Sequence, residues 1–320
     1  MATENPAPET LLEAVRYFTD KDAALAFVVA LRWPDGVTCP DCDHKEVSFL
    51  STRRIWKCLS CKRQFSVKRG SIFEDSPIGL EKWLPALWLI VNCKNGISSY
   101  ELARDLKVTQ KTAWFMLHRI RLAMQAKSFN KLGGEIEIDE TYIGGKARNM
   151  HKSKRARLGM ARGRTYVGKV AVMGLLQRHA EKGESRIRLE TVAEMGPHIR
   201  GRVREHVESG STVYTDALTS YKGLDADYVH NVIDHAECYA EGQVHTNGLE
   251  NFWSLLKRSI KGTYVSVEPF HLFRCLDEQA FRFNNRKATD AVRFTEALAS
   301  IFGKRLTYAA LTGHAEPERN

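Results

Sequence analysis

Three acidic residues far apart in the chain, Asp139, Asp216 and Glu250, are of the type and setting that phosphoryl-transfer chemistry uses. Asp139 lies in Glu135-Ile-Glu-Ile-Asp-Glu-Thr-Tyr-Ile143, where apolar and acidic residues alternate. With Ile136 and Ile138 on a buried face, Glu135, Glu137 and Asp139 share the other. Acidic side chains are poor strand formers, so a run of them in a central strand calls for a reason. Asp216 closes a second β-type run, Ser-Thr-Val-Tyr-Thr-Asp, and Glu250 lies near the start of a helix that carries Phe252, Trp253, Leu255 and Leu256. Two carboxylates from strands and one from a helix can hold two divalent cations, and Mg²⁺ takes such hard oxygen ligands while keeping waters. Two ions about 4 Å apart can activate an attacking oxygen and stabilise a leaving one. Any one of these residues alone would read as a cap or a surface group.

The cysteines form a second constellation. Cys39-Pro-Asp-Cys42 and Cys58-Leu-Ser-Cys61 give C-x₂-C, fifteen intervening residues, then C-x₂-C. Two knuckles of this kind aim four thiolates at one tetrahedral Zn²⁺ site. The segment is too small to fold on an apolar core alone, so the metal supplies most of its folding free energy. Two disulfides would suit a cytoplasmic chain poorly, and a redox C-x-x-C needs one pair in a βαβ setting. His44 lies close by, but four thiolates already satisfy the ion. Cys93, Cys238 and Cys275 are scattered singles and read as reduced core thiols. Arg53, Arg54, Trp56 and Lys57 lie between the knuckles, and Lys62, Arg63, Lys68 and Arg69 follow. They fit a phosphate-gripping surface and a solvated face equally well.

The elements that must position these groups can be read from periodicity. Residues 11–33 form a helical region ending at Trp33-Pro34-Asp35-Gly36, and 37–72 alternate short strands and turns. Helical spacing then runs over 80–126. Within it, 97–106 form a short helix that turns Leu102, Ala103 and Leu106 inward, and Thr109 caps a second helix after a Lys107-Val108 turn. On that second helix Ala113, Leu117, Ile120 and Met124 make a buried stripe. Lys111, Trp114, His118, Arg121 and Gln125 make a neighbouring stripe that packing does not require. Such an arrangement fits a helix-turn-helix whose second helix enters a major groove, and Lys111, Trp114, His118 and Arg121 are its candidate DNA contacts. After the hinge at Lys131-Leu132-Gly133-Gly134 come β-type runs at 135–143, 166–176, 185–192 and 212–215, with a helix at 197–207 between the last two. The rest is helical over 247–286 and 291–301.

The formal net charge of +10 and pI of about 9.2 suit a polyanionic partner, because each phosphate contact releases counterions. Between Gly144 and Lys169 the chain carries Lys146, Arg148, Lys152, Lys154, Arg155, Arg157, Arg162, Arg164 and Lys169 with no acidic residue. A basic stretch directly after the first acidic strand could close over DNA, with Lys154, Arg155 and Arg157 as candidate contacts, or remain a solvated loop. No basic lead into an apolar run opens the sequence, and the longest apolar stretch, 83–91, contains Pro85 and is far too short to span a bilayer. A cytoplasmic, nucleoid-associated protein with no membrane partner and no small-molecule substrate is expected.

Several segments together resemble the zinc-ribbon, ISXO-like insertion-sequence transposases of the DDE superfamily. They are Arg32-Trp-Pro-Asp-Gly-Val-Thr-Cys-Pro40, Glu137-Ile-Asp-Glu-Thr-Tyr-Ile-Gly-Gly145, Tyr214-Thr-Asp216, His245-Thr-Asn-Gly-Leu-Glu-Asn-Phe-Trp-Ser-Leu-Leu-Lys-Arg258 and Phe281-Arg-Phe-Asn-Asn-Arg286. The resemblance runs from before Trp33 to about Lys287. It implies a multidomain α/β chain in which an RNase H-like domain, a mixed sheet flanked by helices, follows the ribbon and the helix-turn-helix. The implied modules are residues 1–75, 76–130 and 131–290, with a helical tail at 291–320. It also assigns Asp139, Asp216 and Glu250 as ligands of two Mg²⁺ or Mn²⁺ ions. Related subgroups use an Asn near the third position, and Asn247 stands one helical turn before Glu250, so either or both could face the ions. Lys257, seven residues beyond Glu250, shares its face and could hold a DNA phosphate, while His245 is either a DNA contact or a helix-start group.

The expected activity is cleavage of a phosphodiester at each element end and joining of the freed 3′-hydroxyl to target DNA. The expected partners are double-stranded DNA and a second copy of the chain assembled on it. A nuclease without strand transfer and a non-catalytic DNA-binding regulator are the alternatives.

Overall fold

The computed structural model describes residues 8–125, 130–145, 151–153, 169–179, 184–192, 198–216, 221–233 and 245–314. These fall into two compact units. One is built from the chain up to Gln125 together with the chain from Lys287 onward, and the other lies within 126–286.

In the first unit the helical region at the N-terminus is two helices, α1 (Leu11–Thr19) and α2 (Lys21–Arg32). Thr10 and Glu13 cap α1 reciprocally, and the Asp20 carboxylate then accepts from the amides of Asp22 and Ala23 to start α2. Three short strands follow as an antiparallel sheet: β1 (Val47–Leu50), β2 (Ile55–Cys58) and β3 (Gln64–Phe65). Trp33, Phe49 and Phe65 all pack their rings against Trp56. Arg32 stacks on Trp33 and donates to the carbonyls of Val67 and Arg69, so the Arg-Trp-Pro motif clasps the small sheet. Helices α3 (Leu80–Asn92), α4 (Ser99–Leu106) and α5 (Gln110–Met124) come next. Beyond Lys287, α9 (Asp290–Ala299) returns to this unit, where its Phe294 meets Phe18, Phe27 and Trp88. The short α10 (Tyr308–Thr312) sets Tyr308 against Phe115 of α5.

The second unit is a five-stranded sheet in the order β6-β5-β4-β7-β8. Its strands are β4 (Glu135–Ile143), β5 (Val170–Gln177), β6 (Arg186–Val192), β7 (Thr212–Asp216) and β8 (Val229–Ile233). The first three form an antiparallel meander, and β7 and β8 add in parallel on the other side of β4. One face carries a core of Ile136, Ile138, Met173, Leu175 and Val213 against Ile199 and Val203 of α6 (His198–His206). The opposite face carries Val172, Leu176 and Ile187 against Leu249, Phe252, Trp253 and Leu256 of α7 (Asn247–Ser259) and Leu272 and Leu276 of α8 (Pro269–Asn284). A π-helical turn, Ile260–Tyr264, continues α7. This mixed sheet with helices on both faces is the architecture expected of an RNase H-like domain.

Covering both faces changes the reading of β4. Glu137 was expected on an open face with Glu135 and Asp139, yet it is 1% exposed because α7 lies over that side. The alternation rule separates the two faces correctly, but it does not say that the second is solvated when helices flank a sheet on both sides.

Candidate functional site

The ribbon site is complete in its geometry. Cys39 and Cys61 place their sulfurs 3.7 Å apart, Cys42 and Cys58 place theirs 3.6 Å apart, and all four lie within 4.8 Å of one another. A tetrahedral zinc thiolate with Zn–S near 2.3 Å requires S···S edges of about 3.8 Å, so the four residues fit Zn²⁺. The two knuckles repeat one backbone plan. Cys39 N–H donates to the His44 carbonyl and Cys58 N–H to the Arg63 carbonyl, and Asp43 and Lys62, each just after the second cysteine of its pair, adopt positive φ. Burial raises the Cys58 thiol, but amides of Cys61 and Ser60 donating to its sulfur bring it down to about 6. At Cys42 the His44 amide lowers the thiol, while burial and the three neighbouring thiols push it up to about 12.

Much of the basic surface around the ribbon is already occupied. Arg54 pairs with Asp22 at 2.6 Å, Arg63 and Arg69 both pair with Asp41, and Lys68 donates to the carbonyls of Ser76 and Ile78. Lys57 is exposed, and Arg53, also exposed, donates to Gln64 Oε1 at 3.0 Å.

In the helical pair, Ser98 caps α4, Lys107 turns the chain with φ 50°, and Thr109 caps α5 through the Thr112 amide. Ala113, Leu117, Ile120 and Met124 are buried as the periodicity requires. The neighbouring stripe divides. Lys111 is exposed and Trp114 half-buried, but His118 and Arg121 are only 2% and 4% exposed. His118 packs edge-on against Trp114. Those two side chains are buried in this structure, and Gln125 at the end of the stripe is half-buried like Trp114.

Two of the three carboxylates meet through strand register. In the parallel pair β4–β7, Glu137 stands opposite Tyr214, so Asp139, midway along β4, and Asp216, the last residue of β7, each lie two residues beyond that pair on neighbouring strands. The third comes from α7. Asp139 pairs in register with Gly174 of β5, and a Cβ built there would lie 2.7 Å from the Trp253 ring and 2.8 Å from Leu249. The missing side chain lets α7 settle on the strand, where Trp253 Nε1 donates to Asp139 Oδ2 at 2.8 Å. Glu250 precedes Trp253 by three residues, hence on the same helical face. Burial raises the Asp139 carboxyl above its ordinary value; bonds from the Glu140 amide and Trp253 oppose that, and the charges of Asp216 and Glu250 add to it. Asp139 is thus partly desolvated among other anions, an arrangement that a cation stabilises.

Among the described residues, the four cysteines are the one group of three or more potential ligands whose atoms all lie within 4.8 Å. Asn247 and Glu250 are both exposed on the first turn of α7, and Lys257 is exposed two turns on. Lys154, Arg155 and Arg157 lie outside the described residues, as does Cys238.

Sequence reasoning missed two groups at this site. Glu140, on the opposite face from Asp139, accepts from the buried Tyr221 hydroxyl. Burial raises its carboxyl to about 7 despite that bond, with Asp216 and Asp139 contributing. Arg178, just past β5, donates to Glu137 from within the core. A lone arginine at a strand end carries no distinguishing signal in sequence. No helix among the described residues is long and apolar enough to cross a membrane.

Residues 131–284 match the ISXO2-like transposase domain, and residues 19–64 match the transposase zinc-ribbon domain. An uncharacterized protein in transposable element ISH50 of Halobacterium salinarum is 30% identical over 254 residues, which is 76% of this chain and 84% of the relative. An uncharacterized transposase-like protein of Haemophilus influenzae is 36% identical over 98 residues, covering 30% of this chain and 78% of that protein.

Proposed function

Since the chain belongs to the ISXO2-like transposase family and carries that family's zinc ribbon, we propose that it cuts the phosphodiester at each end of an insertion sequence and joins the freed 3′-hydroxyl to target DNA. Asp139, Asp216 and Glu250 would hold two Mg²⁺ or Mn²⁺ ions, with Asn247 placed to share the third position. When bound, such a pair polarises the attacking oxygen and stabilises the leaving one. The observation that carries the reading is Asp139 itself: a half-buried carboxylate just beyond the parallel-paired part of β4, held by an indole N–H, and raised by burial first and by the charges of Asp216 and Glu250 besides.

The protein's own groups have distinct tasks. Trp253 donates to Asp139 Oδ2 and the Glu140 amide to Oδ1, both at 2.8 Å, so the carboxylate is held at both oxygens, each with a lone pair left for a ligand. Its ring, with Leu249 and Phe252, keeps that side of the sheet dry. Lys257, exposed two turns beyond Glu250, can hold a DNA phosphate next to the carboxylates. Lys111 and Trp114 at the start of α5 are the groups offered to duplex DNA, with the ribbon and the basic stretch containing Lys154, Arg155 and Arg157 as additional phosphate contacts. Two ends must be held at once, so the working form on DNA is a pair of copies.

The test is to incubate the zinc-loaded chain with labelled element ends, a supercoiled target plasmid, and Mg²⁺ or Mn²⁺. A joined product that disappears in Asp139→Ala is expected. Nicking without joining would make the protein a nuclease, and binding without either would make it a regulator.

A further inference from the structure

One buried guanidinium touches all three chain segments that carry the carboxylates. Arg178 is 8% exposed. Its Nε donates to Glu137 Oε1 at 2.8 Å, two residues before Asp139 on β4. Its guanidinium carbon lies 4.2 Å from the ring centre of Tyr214, two residues before Asp216 on β7. Its Nη2 donates to the His245 carbonyl at 2.6 Å and to His245 Nδ1 at 2.8 Å, immediately before α7 and Glu250. The second oxygen of Glu137 accepts the Leu249 amide at 3.0 Å, at the helix start next to Glu250. A Cβ on Gly248 would come within 2.8 Å of that oxygen, so a side chain there would push the Glu137 carboxylate from its place. On the far side, Tyr214 donates to Glu135 at 3.0 Å, and the Arg178 amide donates to the Glu135 carbonyl at 2.8 Å.

The chemistry of these contacts is directional. A guanidinium only donates, so His245 Nδ1 must carry a lone pair, which sets the tautomer with any ring proton on Nε2. Its planar fork reaches several acceptors at fixed angles, which an ammonium on a flexible stem cannot do. Glu137 then offers its remaining oxygen to the positive end of α7.

We infer that Arg178, acting with Glu137, is a positioning residue: it sets β4, β7 and the start of α7 in the register that brings Asp139, Asp216 and Glu250 to one divalent-ion site. This rests on the metal-dependent reading given above. A buried ion pair can also be no more than a structural tie, and the two roles separate experimentally. Removing one partner strands a charge, whereas replacing both with apolar groups of similar size commonly restores stability.

The experiment uses the full zinc-loaded chain and the variants R178M, R178K, E137M and E137M/R178M, with D139A defining the carboxylate site. Mn²⁺ binding is followed by electron paramagnetic resonance and folding by thermal unfolding. R178M lowers the unfolding temperature and the double variant regains most of it. Both weaken the Asp139-dependent Mn²⁺ binding by about tenfold or more, as loss of groups behind metal ligands commonly does. R178K, which can reach only one or two of the acceptors, weakens it with little change in unfolding temperature. Wild-type Mn²⁺ affinity in the folded double variant, or in R178K should the double variant fail to fold, overturns the positioning role. If D139A binds Mn²⁺ as the wild type does, the carboxylate reading itself falls, whatever Arg178 does.

Discussion

Replacing Gly174 with alanine tests the packing that joins α7 to the strand bearing Asp139. The added methyl would lie 2.7 Å from one Trp253 ring carbon and 2.8 Å from a second and from Leu249 Cδ2. Ordinary carbon contacts are about 3.5–4 Å, so ring or strand must shift by close to an ångström. Two effects oppose each other. Alanine in a strand interior is better than glycine by about 0.5–1 kcal/mol, while over-packing a close-packed core costs about 1–3 kcal/mol. Over-packing wins, and G174A should lose about 0.5–2 kcal/mol in urea unfolding of the zinc-loaded chain. The move also pulls the Trp253 N–H off Asp139, so end cleavage should fall more steeply than stability does. Trp253→Phe removes the ring atoms that the methyl meets, so G174A and W253F should be non-additive, with a coupling above about 0.5 kcal/mol. A G174A protein at least as stable as the wild type, or strictly additive single variants, would refute the packing argument.

Cys58→Ser should drop the zinc content from one ion per chain to none and make residues 37–72 sensitive to protease, because the metal's free energy of binding, about 10–16 kcal/mol in small zinc modules, is folding free energy there. In salt titrations of duplex binding, Lys111→Ala should weaken affinity and reduce the log–log slope by about one. His118→Ala and Arg121→Ala should instead lower the unfolding temperature, since both side chains are buried; an unchanged unfolding temperature with lost DNA affinity would restore them as contacts. Glu190 has its carboxyl lowered by the His206 hydrogen bond, against burial, with Arg202 contributing. A lowered carboxylate stabilises the fold above its unfolded value near 4.5 and loses that contribution as pH falls through the folded value. Glu190→Gln should therefore unfold with a shallower pH dependence below about pH 4.5, and parallel acid-unfolding curves would contradict this.

The ribbon was legible because its chemistry fixes its spacing. Four cysteines in two C-x₂-C knuckles leave little else to build, and the sulfurs meet at zinc distances. The β4 alternation and the cap at Thr109 were legible for the same reason: each is local. What escaped is tertiary. The break at Asp20 is hidden because the apolar spacing of α1 runs on into α2, although the aspartate that caps α2 was in view. Strand β8 escaped because its burial pattern is mixed, with Val229 and Val232 exposed at the sheet edge. The π-helical turn after α7 reads in sequence as a continuous helix. Glu137, His118 and Arg121 are charged or polar residues that the chain buries, and composition assigns such residues to the surface. Arg178 shows the limit most plainly, since its role exists only through partners 41 and 67 positions away.

The central claim is that Asp139, Asp216 and Glu250 share a pair of divalent ions. Anomalous diffraction from crystals of the zinc-loaded chain on element-end DNA, grown with Mn²⁺, tests it directly. Two manganese peaks about 4 Å apart, within ligand distance of all three carboxylates and absent from Asp139→Ala crystals, are predicted. Manganese bound elsewhere, or a DNA-bound chain whose Glu250 points away from an ion held by the two aspartates, would contradict it.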